Sequence, residues 1–246
     1  MRTAQIMLAA LALAVLAAAP AAADIYIEQS SRHSGESSQD GEENGVTRMW
    51  IAEQAIRIEE PGQQMVHITD LVNSRLITID REERQYYVIP LSQVRSDFQR
   101  AAAMMRQRMQ VSWRVERSAE EAAISGYSCR LLRFHGRGSM TRGDDFVQLQ
   151  ITIDYWMSPE AELDLDVFMR LMSTVGLEQN PFLDQSVLRE LRAMEGYPIR
   201  TSTSISMGSI SDEIEQTVEL IRVVEVEPGF YEVPADFEEV TTPLRR

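Results

Sequence analysis

Three histidines, one cysteine and several pairs of adjacent carboxylates are the side chains of this sequence best suited to acid–base, nucleophilic or metal chemistry. His33, His67 and His135 stand far apart. None has the HxH or HExxH spacing that aims two imidazoles at one metal ion. Cys129 lies in the apolar run Tyr127-Ser128-Cys129-Arg130-Leu131-Leu132, where a lone cysteine reads as a small buried hydrophobe. Being single, it cannot form an intramolecular disulfide. Glu59-Glu60 and Glu120-Glu121 pair acids in a chain that is acidic throughout, where such pairs mark a solvated face. No Gly-x-Ser-x-Gly elbow and no phosphate-cradling glycine loop occurs. The expectation is therefore no catalytic residue, no metal and no cofactor. A hydrolase whose triad is dispersed along the sequence stays open, because triad members need not be neighbours in the chain.

The methionines carry a different chemistry. Of thirteen, Met104, Met105, Met109, Met169, Met172 and Met194 fall in stretches with helical spacing. Methionine fills irregular apolar space and adapts to several shapes, which serves cores and permissive binding surfaces alike. These helices either complete a core or form a movable lid over an apolar cavity. Burying an acyl chain of about 16 carbons at about 0.8 kcal/mol per CH2 offers on the order of 10 kcal/mol. That is enough to offset the partial opening of a helix–sheet contact.

The elements that must position such a lid are mostly strands. Asp24 to Gln29 reads as a short strand, and Ser30 to Gly45, almost free of apolar residues, as a mobile loop. Runs at Thr47–Ala52, Ala55–Glu59, Gln64–Thr69, Arg75–Asp80 and Gln85–Ile89 recur about every ten residues, the pattern of an antiparallel meander. Leu91, Val94, Phe98, Ala102, Met105 and Met109 then lie on one helical stripe, predicting an amphipathic helix over Leu91–Gln110. Strands return at Val111–Glu116, Tyr127–His135 and Phe146–Met157. In the last, Leu149, Ile151, Ile153, Tyr155 and Met157 alternate against Gln148, Gln150, Thr152 and Asp154. Leu163–Val175, with Phe168 and Met172, and a segment capped by Asp184 read as two further helices. Two long strands, Tyr197–Met207 and Glu213–Glu227, come next, and Phe230–Pro234 reads as a short edge. The fold class is α+β, a strongly curved antiparallel sheet of about ten strands with helices on its concave face.

Met1 to Ala23 has the form of a secretory signal peptide. Arg2 supplies the positive start, Ile6–Ala19 the apolar run, and Ala21-Ala22-Ala23 a small-residue cleavage site ahead of Asp24. The run is too short to cross about 30 Å of hydrocarbon. A periplasmic protein cleaved after Ala23 is expected, in one domain over residues 24–246. Asp24 rather than cysteine follows the cleavage point, which argues against lipidation there. The formal charge of -14 disfavours nucleic acid and anionic lipid surfaces, since the mean field repels both. No membrane insertion is expected after cleavage, and no protein partner is identifiable.

Short motifs add a resemblance. Gly126-Tyr127-Ser128-Cys129, Tyr155-Trp156-Met157-Ser158, Glu195-Gly196-Tyr197-Pro198 and Phe230-Tyr231-Glu232-Val233-Pro234 follow the signal peptide in order. Together they resemble a family of exported bacterial domains of unknown function with the fold of the lipoprotein carriers LolA and LolB. The resemblance implies a half-open barrel with a helical lid over a hydrophobic cavity. It also implies an apolar ligand such as a lipid or a lipoprotein acyl chain. The expected lining is Leu149, Ile151, Ile153, Tyr155 and Met157 on the sheet, with Phe98, Met105, Met109, Phe168 and Met172 on the helices. The expected function is a non-enzymatic carrier of a hydrophobic ligand. The alternative is an interaction or structural protein with a closed core and no small ligand.

Overall fold

The computed structural model describes residues 24–35, 43–60, 62, 64–142, 145–161, 187, 189–190, 193 and 196–241. Its first half is a meander of six strands: β1 (Asp24–Gly35), β2 (Glu43–Ile51), β3 (Ala55–Glu59), β4 (Met65–Asp70), β5 (Arg75–Asp80) and β6 (Gln85–Pro90). Each pairs antiparallel with the next. Two of the hairpins use one device. Asp70 accepts a hydrogen bond from the Asn73 amide at 2.9 Å, and Asp80 accepts from the Glu82 and Glu83 amides at 2.9 and 3.1 Å. Four residues past each aspartate the chain turns through the left-handed region, at Ser74 (φ 51°) and Arg84 (φ 54°).

Helix α1 (Leu91–Arg108) follows β6 directly. It ends with Arg106 and Arg108 in its last turn, where cations offset the negative end of the helix dipole. A second meander comprises β7 (Met109–Ile124), β8 (Tyr127–Arg142), β9 (Asp145–Ser158), β10 (Tyr197–Met207) and β11 (Ile210–Val224). β11 returns to pair antiparallel with β1, fusing both meanders, and β12 (Glu238–Glu239) adds a short parallel edge beside β6. The sheet order is β12-β6-β5-β4-β3-β2-β1-β11-β10-β9-β8-β7.

This order dictates curvature. β6 and β7 lie ten positions apart in the sheet, an arc of roughly 48 Å at about 4.8 Å per strand. One 18-residue helix joins them with no linker, and at about 1.5 Å per residue it spans only about 27 Å. The sheet must curl until the chord fits the helix. It nevertheless stays open, with β7 and β12 as its two edges.

Several expectations change here. The sheet has twelve strands rather than about ten. Ser30–Gly35 is not loop but the second half of β1, held in register between β11 and β2. Backbone pairing on both sides supplies the stability that its polar side chains cannot, and only residues 36–42 of the expected loop lie outside the described residues. Phe230–Pro234 is not a strand: turns occupy it, and the short edge forms at Glu238–Glu239. Helices on the concave face are not established among the described residues. Among the described residues α1 is the one long helix, and it packs against β6, β7 and β8. Only Val187, Arg189 and Glu190 represent the later helical stretch. Phe168 and Met172, with the rest of those two predicted helices, fall outside the described residues, as does the expected signal peptide.

The inner face of the sheet carries the main core. Ile27, Ile51, Ile56, Phe134, Ile199 and the β9 residues belong to one buried cluster, which Ala161 and Val187 also join. The outer face of β4–β6 carries a smaller one of Val66, Ile68, Ile77 and Ile79, covered by Tyr231, Val233 and Phe237 of the C-terminal segment. That segment is pinned along its path. The Phe230 ring meets Trp50 at 5.2 Å and the Arg57 guanidinium at 4.5 Å, and the Tyr231 hydroxyl donates to the buried Asp24 carboxylate at 2.7 Å.

Candidate ligand-binding face

Cross-strand register assigns every inner-face residue, because directly opposed residues point the same way. On β9 the inner set is Leu149, Ile151, Ile153, Tyr155 and Met157, each 7% exposed or less. Opposite them on β8 stand Gly138, Gly136, Phe134, Leu132 and Arg130. β7 contributes Met109, Val111, Trp113 and Val115, opposite Met140, Gly138, Gly136 and Phe134. Gly136 is there for a reason of space. A Cβ on it would lie 3.0 Å from the Trp113 indole, so the bare backbone gives the indole its room. Phe134 meets Tyr155 edge to face at 5.7 Å. The result is an apolar wall, fully buried along β9 and half-buried at Val111, Trp113, Met140, Ile205 and Met207.

Of the expected helical lining, Phe98 is half-buried on α1 and Met105 is 46% exposed, with Met104 beside it at 56%. Met105 therefore does not join the wall, although it lies on the apolar stripe read from the sequence. Met109 is buried, but as the first residue of β7, because the chain turns extended one residue after Arg108. Met157 and Leu132 also line a cleft of about 440 Å3 at the other end of β9, together with Arg117, Leu131, Pro159 and Ala193.

Beyond β9 the inner face changes character. The row that starts at Tyr155 continues through Thr201 on β10, Gln216 on β11 and Ser31 on β1. Thr203 lies one row away beside Ile153, and Gln29 pairs with Thr47 on the other side. All are uncharged. All but Tyr155 and Gln216 are half-buried. Sequence reasoning missed this strip, although the alternation of Thr201 and Thr203 with serines on β10 carries the signal.

Electrostatics separates the two faces. On the outer face, Arg133 makes a two-pronged bond to Asp154 at 2.7 Å, which raises the guanidinium pKa. On the inner face, burial pushes the Tyr155 phenol up to about 12 and the His67 imidazole below its ordinary value. Both are held neutral at pH 7. Cys129, fully buried, is likewise raised by burial, which keeps it a thiol. Among the described residues no cluster of three metal-ligating side chains forms. No described helix is long and apolar enough to cross a membrane.

Residues 37–237 match the model of DUF4412, a domain of unknown function. The chain belongs to that family. No curated protein matches this DUF4412 chain. Among solved structures it is similar to PNGF-II, at 8% identity and a TM-score of 0.35, over 89% of this chain but only 31% of that one. An uncharacterized conserved protein from Thermus thermophilus matches at 11% identity and TM-score 0.42, over 95% of this chain and 99% of its own. The LolA superfamily protein NE2245 from Nitrosomonas europaea matches at 9% identity and TM-score 0.29, over 86% and 90%. The DUF4412 chain thus spans about a third of PNGF-II and most of the other two.

Proposed function

We propose that this protein is an exported, non-enzymatic carrier that holds a hydrophobic ligand against the inner face of its curled sheet, with α1 as the movable cover. The observation that carries this reading is the gradient along the apolar wall. It is dry along β9 and half-exposed toward Val111, Trp113, Met140 and Met207, while α1 presents Phe98 half-buried and Met104 and Met105 to solvent. Large apolar side chains left partly wet on facing elements mark a surface that gains from covering. A lipid or the acyl chain of a lipoprotein supplies that cover. Native mass spectrometry of protein purified from its own periplasm should show a bound lipid or acylated peptide. Consistently ligand-free protein overturns the reading.

The second reading is a structural or interaction protein whose core is closed for good. It is favoured by the five β9 residues, already buried without any ligand. Met105→Ala separates the two. A solvated Met105 should cost less than about 0.5 kcal/mol of stability in either case, but only the carrier also loses ligand affinity.

A further inference from the structure

We infer that the ligand is an amphiphile with an uncharged, hydrogen-bonding head group, received by the polar row Tyr155–Thr201–Gln216–Ser31. The inference rests on the carrier reading and specifies the ligand class for that site. Three observations support it.

The first is the contrast between the two faces of the same strands. On the outer face of β1, β10 and β11 several polar side chains find protein partners. Ser30 donates to Glu219 at 2.6 Å, Ser202 to Glu213 at 3.2 Å, Arg200 to Thr217 at 3.1 Å, and Ser206 bonds Ser211 at 3.3 Å. On the inner face, Thr201, Thr203, Gln216, Gln29 and Thr47 have no side-chain hydrogen bond among the described residues. Ser31 makes only a long one, to the Gly45 carbonyl at 3.4 Å. The second observation is Tyr155. It is 5% exposed, and its phenol is shifted by desolvation alone, with no hydrogen-bond partner among the described residues. A buried hydroxyl is normally paired, so an unpaired phenol at the head of a half-exposed polar row marks a surface with room for a ligand's donors and acceptors.

The third observation fixes the head-group charge. Arg32, Arg48, Arg200 and Arg222 are the basic residues of β1, β2, β10 and β11, and register places all four on the outer face. The chain has no lysine, and its net charge is -14. On the inner face of these four strands a carboxylate or phosphate head would meet no arginine, and the protein's own field opposes it. A glycerol or amide head satisfies the row at no such cost. Its tail then runs along the half-buried Ile205 and Met207 of β10 toward Trp113.

Residues 24–246, titrated at pH 8 by isothermal calorimetry, test this with two probes of equal tail length, 1-lauroylglycerol and laurate. The expected result is that 1-lauroylglycerol binds at least about tenfold more tightly. The double substitution Thr201→Val, Gln216→Leu should weaken it about tenfold while leaving laurate unchanged. Ser31→Ala, a smaller change, should move affinity in the same direction if the double variant melts early. Equal binding of the two probes, tighter binding of laurate, or a variant that loses both alike overturns the head-group inference and leaves the carrier reading standing. Binding of neither probe overturns both.

Discussion

The outer and inner faces of β1, β10 and β11 are built from the same strands with opposite logic. Outside, serines, threonines, acids and arginines pair with one another across the strands, as in Ser30–Glu219, Ser202–Glu213 and Arg200–Thr217. Inside, Thr201, Thr203, Gln216, Gln29 and Thr47 make no side-chain hydrogen bond among the described residues, and they stand beside a dry apolar wall. Both faces use short polar residues, but the arginines of these strands all lie outside. Pairing distinguishes them, and pairing is decided by whether water or a ligand is on hand to take the remaining bonds.

Substitutions can break this contrast in order of size. Phe134→Ala removes the largest fully buried side chain of the inner wall. It should cost about 3–5 kcal/mol in urea unfolding, far above any outer-face change. Arg133→Gln leaves Asp154 half-desolvated without its fork partner and should cost about 1–2 kcal/mol. Thr217→Val and Thr201→Val make the sharpest comparison, being one exchange on two faces of adjacent strands. Thr217 is buried and accepts from Arg200, so its loss should cost about 1–2 kcal/mol. Thr201 gives up no side-chain bond among the described residues and should stay within about 0.5 kcal/mol; equal losses at the two sites would erase the distinction.

The smallest effect is a pH dependence at His67, an inner-face residue whose Nδ1 lies 3.2 Å from the Thr78 hydroxyl. Burial depresses its folded pKa below the ordinary 6.5. The unfolded chain therefore binds more protons in the window between the two values. The stability due to neutral His67 is complete above 6.5 and is lost as pH falls through the depressed value. Urea midpoints measured from pH 8 down to pH 5 should decline less for His67→Gln than for the parent protein.

Much of the sheet was legible. The ten-residue spacing from Thr47 to Ile89 gives the first meander, and the alternation in Phe146–Met157 gives the inner wall on β9. What local pattern could not supply was partnership. Ser30–Gly35 has no apolar signal, and it is strand only because β11, nearly two hundred residues later, lies alongside. Met105 fits the helical stripe, yet on α1, which runs from β6 to β7, it stays exposed. The polar row on β10, β11 and β1 appears in no single segment, since each strand gives it only one or two residues.

The seam between β1 and β11 also sets an order of events. Ser30 and Glu219 are 189 residues apart, so the first strand of the chain gains its second neighbour only when nearly the last has been made. Each meander can assemble from neighbouring hairpins, which are fast local contacts. The inner face cannot be enclosed until they meet. A chain interrupted before residue 210 would keep two half-sheets with β1 as a bare edge, a state suited to capture by a chaperone or to pairing with another copy. Completion of the chain and formation of the continuous inner face are thus the same step.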